Sequence, residues 1–293
     1  MPRCSRFAHA TSRTLCSAVA LLLSASVVPA KVIADTPSRE PTAAQIVERN
    51  VAARGGLEAW RKVDTMVWAG RLESAHAPIP RMGFTLEQKR PNKTRFEISA
   101  MNQKTWRVFD GTQGWKETQN REGRPDVQPY TSQELKFAQQ AQGIDGALID
   151  YQARGSTVVL EGPDTVEGHP AYRLLVRQAS GERHHVWIDA KTYLDLRYDR
   201  LSYTPAGLPV PVNVVYRDYK TFDGLQIPTV IETGAGARAL PPDRMLIETV
   251  SINPPLDNRL FARPGANRMA RRALIGSGSG SASGAAPALP AVP

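Results

Sequence analysis

The chain has 293 residues, 41% of them hydrophobic, with a formal net charge of +9 and two cysteines. That length suits one large domain or two smaller ones once removable ends are set aside. Cys4 and Cys16 both precede the apolar run of an N-terminal leader, so the mature protein is expected to hold no disulfide, thiolate metal site or cysteine nucleophile.

Arg3, Arg6 and Arg13 stand before the apolar run Ala18–Leu23, and small residues offer cleavage after Ala30 or Ala34. This is the layout of a secretory signal peptide over residues 1–34, with an apolar run too short to span a membrane. Cys16 lies ahead of that run and is therefore not an acylation site. Cleavage after Ala30 removes three arginines and no acid, which takes the charge from +9 to +6. Much of the excess sits in Arg259, Arg263, Arg268, Arg271 and Arg272, ahead of a Gly/Ser/Ala/Pro-rich stretch. Residues 267–293 therefore read as a basic, then flexible tail that cannot bury a core. Its charge suits solubility or anionic lipid headgroups. An exported chain without a recognition motif is not expected to bind nucleic acid. One domain over residues 35–266 remains.

Thr42 with Gln45 predicts a capping box and a first helix that ends at Gly55-Gly56. A short helical turn, Leu57–Val63, follows, with Trp60 pinning it to the rest of the domain. Met66, Trp68, Gly70 and Leu72 share one parity and predict a strand over Thr65–Ser74. Met82, Phe84, Leu86, Gln88 and Arg90 alternate in the same way, up to a turn at Pro91-Asn92. Thr94, Phe96, Ile98 and Ala100 continue the alternation. Trp106 and Val108 lie on a strand that turns at Asp110-Gly111, and Trp115 opens its partner. Glu122–Tyr130, rich in Gly, Pro and charge, predicts an exposed loop. Thr131 to Glu134 starts a helix broken at Gly143, and Ile144–Tyr151 predicts a second short helix.

The second half predicts strands at Thr157–Leu160, Tyr172–Arg177, Arg183–Ile188, Leu194–Tyr203, Val212–Tyr219, Leu225–Ile231 and Met245–Ile252, divided by turn residues. Gly234-Ala-Gly236 lacks the third glycine and following helix of a nucleotide fingerprint and predicts a turn. Short, evenly spaced strands argue an antiparallel sheet rather than βαβ units. Roughly ten to twelve strands exceed what a flat sheet holds without curling. The expected architecture is mainly β with a few helices: a curled antiparallel sheet, a half-closed barrel lidded by helices.

Catalytic motifs are missing from this sequence. His184 and His185 are neighbours on a strand and point to opposite faces, so they cannot chelate one ion together. There is no His-Glu-x-x-His helix, Gly-x-Ser-x-Gly elbow or P-loop. Asp189, Asp195, Asp199 and Asp218 read as turn residues or solvated strand positions. Asn92-Lys-Thr94 matches a glycosylation acceptor that matters only in a eukaryotic secretory pathway. What remains is apolar surface: Trp68, Leu72, Phe84, Leu86, Phe96, Ile98, Trp106 and Trp115. A large curled sheet with little helix to fill it makes these candidates for lining a cavity. Arg90, at the end of an apolar face, is the unusual charge among them.

Lys89-Arg90-Pro91-Asn92, followed by Asp110-Gly111 and Trp115, resembles the periplasmic lipoprotein-carrier (LolA) family and the broader outer-membrane lipoprotein-sorting proteins. Further stretches are similar to the broader group: Ala53–Leu57, Val166–Tyr172, Val186–Asp189, Tyr219–Pro228 and Leu260–Gly265. The likeness spans about Thr42 to Gly265. It implies a half-barrel whose apolar cavity receives acyl chains. It also implies that Arg90 holds the lid through backbone carbonyls. Thr94 stands where the family carries an aromatic, with Phe96 two positions on, and the long tail is foreign to the carrier.

The expected function is a periplasmic, Sec-exported, monomeric carrier of lipid or lipoprotein acyl chains, with no cofactor, no metal and no enzymatic activity. The alternatives are a module that senses a lipoprotein or a partner protein in the inner or outer membrane, and, behind it, a hydrolase.

Overall fold

The computed structural model describes residues 40–120, 122–141, 143–203, 208–235 and 241–264. The expected signal peptide and the tail from residue 267 lie outside them, as does Gly236.

Helix α1 (Ala43–Ala53) starts on the expected capping box, with the Thr42 hydroxyl accepting from the Gln45 N–H and the Gln45 side chain accepting from the Thr42 N–H. Gly55, at φ +114°, lets the chain reverse into α2 (Leu57–Arg61); a Cβ there would meet the Gly224 carbonyl at 2.5 Å. Then come β1 (Thr65–Glu73), β2 (Arg81–Lys89), β3 (Lys93–Ala100), β4 (Gln103–Phe109), β5 (Gly114–Gln119) and β6 (Pro125–Pro129). Helix α3 (Ser132–Gln140) begins on a second capping box, Thr131 with Glu134. Seven strands follow: β7 (Thr157–Val166), β8 (His169–Arg177), β9 (Arg183–Asp189), β10 (Asp195–Tyr203), β11 (Pro209–Phe222), β12 (Leu225–Ala235) and β13 (Asp243–Ile252). A 3-10 turn, Asn258–Phe261, packs against β3.

The thirteen strands form one antiparallel sheet in the order β6-β5-β4-β3-β2-β1-β13-β12-β11-β10-β9-β8-β7. Its end strands β6 and β7 do not pair, so the sheet is not closed into a barrel. Three expectations are corrected here. Residues 125–129 form an edge strand rather than a loop; Pro is tolerated there because one side of an edge needs no ladder donor. Residues 143–155 are a series of turns rather than a second helix, with Gly143, Gly146, Asp150 and Gly155 all at positive φ. Gly234 also sits within β12 rather than in a turn.

The two faces of the sheet differ sharply. The convex face of β2–β4 carries the ion pairs Glu87–Arg95, Arg95–Glu97 and Glu97–Lys104. On β11–β13 the convex face continues with Arg217–Glu232 and Glu232–Arg244. The concave face buries Met82, Phe84, Leu86, Phe96, Ile98, Val212, Val214, Ile231, Met245 and Ile247 in one cluster. No helix residue belongs to it. Phe84 is nonetheless only 4% exposed, so its cover comes from the sheet curling over itself and from Ala77 and Ile79 in the β1–β2 loop.

The helices bury their apolar stripes elsewhere. Ile46 and Val47 of α1 join Leu148 against Leu174, Val176, Val186 and Ile188 of β8 and β9. Trp60 of α2 packs with Met66, Ile149, Leu225 and Ile227, as expected of a pin between helix and sheet.

Gly70 sits at a bulge between β1 and β13, where a Cβ would lie 2.0 Å from the Leu246 carbonyl oxygen. Gly70→Ala must push the two central strands apart, at a cost of about 1–3 kcal/mol. Urea unfolding reads this directly, and an unchanged midpoint would show that the strands part freely.

Candidate functional site

Six of the nine residues singled out in the sequence converge on the concave cluster. Register explains it: Trp68 faces Leu86, Leu72 faces Met82, Phe84 faces Ile98 and Leu86 faces Phe96. Cross-strand partners share a face, so all six side chains line one surface. Phe84 and Phe96 also lie with ring centroids 6.0 Å apart.

Trp106 and Trp115 are placed on the other face. The β3–β4 hairpin turns through Met101 and Asn102, both at positive φ, with Ala100 opposite Gln103. Even positions on β3 therefore oppose odd positions on β4. Trp106 faces Glu97 on the convex side, donates from Nε1 to the Glu97 carboxylate at 2.7 Å, and lies 5.8 Å from the Arg95 guanidinium. Trp115 follows, opposite Val108. Arg107 and Lys116 take the concave positions instead.

Those two cations hold α3. Lys116 Nζ lies 2.9 Å from Glu134 Oε1, and Arg107 Nη2 lies 3.4 Å from it. Burial pushes the Glu134 carboxyl up, but the Thr131 N–H and the two cations outweigh it and hold the carboxyl below its usual range. One helical turn on, Phe137 receives the Arg200 guanidinium at 4.4 Å from its ring centroid. Arg200 belongs to β10, eight strands from β5 in the sheet order. A flat sheet would separate those strands by about 38 Å. Neighbouring positions on a single helix cannot span that, so the curl brings both lips of the sheet to α3. Lys136 adds an ion pair to Glu182 in the β8–β9 turn at 3.4 Å. The helix is a strap across the open side.

Arg90 closes the opposite end. Its Nη1 and Nη2 each donate to the Asp145 carboxylate at 2.6 Å. Nη2 also donates to the Trp60 carbonyl at 2.9 Å, and Nε donates to the Val63 carbonyl. The fork therefore ties the end of β2 to the C-terminus of α2 and to the turns of 143–155. Two of its acceptors are backbone carbonyls, as the family resemblance implies. They belong to the α2–β1 junction, however, while the covering segment contributes a carboxylate. Other cations fix the same segment: Arg54 donates to the Asp145 carbonyl at 3.1 Å, Arg154 donates to the Ile149 carbonyl at 2.6 Å, and Arg61 pairs with Asp150 at 2.7 Å. An open groove of about 730 Å³ beside Arg90, lined by Thr65, Lys89 and 253–257, includes none of the concave cluster.

His184 and His185 do point to opposite faces. His185 Nδ1 meets Asp199 Oδ2 at 3.0 Å, but its Nε2 meets Glu161 at 3.3 Å rather than a hydroxyl nucleophile. That pair lacks the third member of a hydrolytic triad. Among the described residues, no group of three or more His, Cys, Asp or Glu side chains is placed to hold a metal ion.

His184 faces the interior at 4% exposure, edge-on to Tyr198 with centroids 5.0 Å apart. Burial pushes its imidazole down to about 4. Tyr198, Arg200 and Tyr216 continue this polar patch across β10 and β11. Reasoning from sequence missed it, although its signal was available: polar residues at apolar-parity positions, as at Arg90.

No protein-family model matches the chain, and no curated protein matches it in sequence. Its fold is similar to that of a DUF1329 family protein from Desulfovibrio piger, at 14% identity and a TM-score of 0.50 over 75% of this chain and 97% of that one. It is also similar to a LolA superfamily protein from Nitrosomonas europaea, at 13% identity and a TM-score of 0.48 over 76% and 98%. At these identities the likeness is one of fold.

Proposed function

We propose that the chain is a carrier of lipid or lipoprotein acyl chains, exported to the periplasm, monomeric, without a cofactor and without enzymatic activity. The observation that carries this reading is the concave apolar cluster, which no helix packs into and which α3 straps shut. A globular domain normally covers a sheet face with a second layer. Here the cover is the sheet's own curl, and side-chain tethers from both lips of the sheet hold a single helix across the gap. Releasing those tethers exposes a continuous apolar trough of Trp68, Leu72, Phe84, Leu86, Phe96 and Ile98 without unfolding the sheet.

The energetics suit exchange. Each methylene that enters the trough contributes about 0.8 kcal/mol, and each hydrogen bond exchanged for water costs about 0.5–1.5 kcal/mol. A chain of ten or more carbons therefore outweighs the opening of the Glu134 tether. The test is organic extraction of protein purified from the periplasm, followed by mass spectrometry. Acyl lipid recovered in near-stoichiometric amount supports the reading. Protein that is consistently empty and also ignores fatty-acid probes would sink it.

Glu134→Gln should loosen the strap while leaving the fold in place. Lipid release is expected to quicken by about three- to tenfold, as the loss of a charge-assisted hydrogen bond implies. Unchanged release kinetics would show that α3 does not gate the trough.

A further inference from the structure

We propose that the polar patch His184, Tyr198, Arg200 and Tyr216 is a headgroup site that takes the oxyanion, carboxylate or phosphate, of an amphiphilic ligand. This rests on the acyl-chain reading and adds to it the chemistry at the polar end of the ligand.

The patch lies at the seam of two apolar clusters. Tyr198 packs against both the concave trough and the α1 cluster, and Tyr216 packs against the trough. Register places the residues on adjacent strands of one face. Tyr198 opposes Val214, Arg200 opposes Val212, and Tyr216 opposes Ile231, all three partners being trough residues. His184 opposes Val176 of the α1 cluster.

Among the buried polar atoms on the concave face that have no hydrogen-bond partner among the described residues are His184 Nε2 and Trp68 Nε1. A buried polar group normally finds a partner, because leaving it unsatisfied is costly. His184 is more than nine-tenths buried and lies edge-on to Tyr198, which with Tyr216 neighbours the guanidinium of Arg200. An oxyanion supplies the acceptor that the His184 ring lacks, beside the Arg200 guanidinium.

Charge argues the same way. Burial works against the cation on Arg200 and against ionisation of Tyr216. The patch therefore presents phenol donors beside a guanidinium that gains from an anion. Asp195, the acid that bears on Tyr216, lies 3.7 Å from Arg54 and is engaged there. Phe137 of α3 covers the guanidinium from above, so lifting the strap uncovers headgroup site and trough together.

The test uses the delipidated full chain and three probes with the same alkyl chain: oleate, oleoyl lysophosphatidate and methyl oleate. At least one anionic probe is expected to bind about tenfold or more tightly than methyl oleate, as a charge-assisted contact implies. Preference for oleate assigns a carboxylate, and preference for the lysophosphatidate assigns a phosphate. Arg200→Met should abolish the preference, so that charged and neutral probes bind about equally. Tyr216→Phe, which removes one hydroxyl and keeps the ring, should reduce the preference by about threefold and covers the case in which Arg200→Met fails to fold. Equal binding of all three probes by the wild type would overturn the headgroup site and leave the acyl-chain reading standing. So would equal weakening of charged and neutral probes in both variants. Binding of none of the probes would remove both.

Discussion

Arg90→Leu is expected to keep the sheet and release the turns of 143–155. The guanidinium makes two contacts to Asp145 and one each to the Trp60 and Val63 carbonyls. Leucine fills part of the space and leaves a carboxylate with 13% side-chain exposure without this partner. Removing one member of a buried pair costs more than the pair was worth, because the other charge stays behind. Arg90 itself is 30% exposed, so solvent screens part of that loss. A net destabilisation on the order of 3 kcal/mol follows. Hydrogen exchange should rise at least about tenfold in residues 144–151 and much less in α3, whose ion pairs lie elsewhere. Asp145→Asn keeps the shape and acceptor oxygen and should show a smaller rise. If exchange in 144–151 does not change in Arg90→Leu, Arg90 is a rim charge and not a latch.

The second large effect is a pH dependence from His184. Burial is the main cause that lowers its folded pKa to about 4 from the ordinary 6.5; the charges of Asp199 and Glu182 act in the opposite sense, and His185 and Arg154 add to the depression. The unfolded chain therefore binds a proton as pH falls below 6.5, while the folded chain refuses it until about 4. Stability from this group is complete above pH 6.5 and is lost as pH falls through that window, by on the order of 3 kcal/mol. Urea unfolding of wild type and of His184→Phe at pH 7.5, 5.5 and 4.5 isolates the contribution as a difference. The wild type should lose stability more steeply than the variant as pH falls. Parallel curves would mean that His184 titrates freely in the folded state.

The strands were legible because side-chain alternation is a local signal, and the Thr42–Gln45 capping box because its partners lie only three positions apart. Face assignment was legible only within a strand. The tight turn at Met101-Asn102 exchanges odd for even, and this carried Trp106 and Trp115 to the convex side, where hydrophobicity alone would not have sent them. The edge strand β6 was hidden by Pro125 and Pro129, which argue against a central strand but not against an edge. Residues 143–155 are held by arginine-to-carbonyl bonds and by Asp145, 55 residues from Arg90. No local pattern announces a partner so far away. The patch at His184, Tyr198, Arg200 and Tyr216 was encoded as plainly as Arg90 was. It assembles only when β9, β10 and β11 are aligned in register.

Tryptophan quenching by a brominated fatty acid tests the central claim most directly, because bromine quenches an indole only at close range. Trp68 lines the trough, whereas Trp106 and Trp115 lie on the convex face. Binding of dibromostearate should quench the wild type. Trp68→Phe should lose most of that quenching while still binding the probe, and Trp106→Phe and Trp115→Phe should keep it. Quenching that survives in Trp68→Phe and disappears in Trp106→Phe would place the ligand on the convex face and contradict the account.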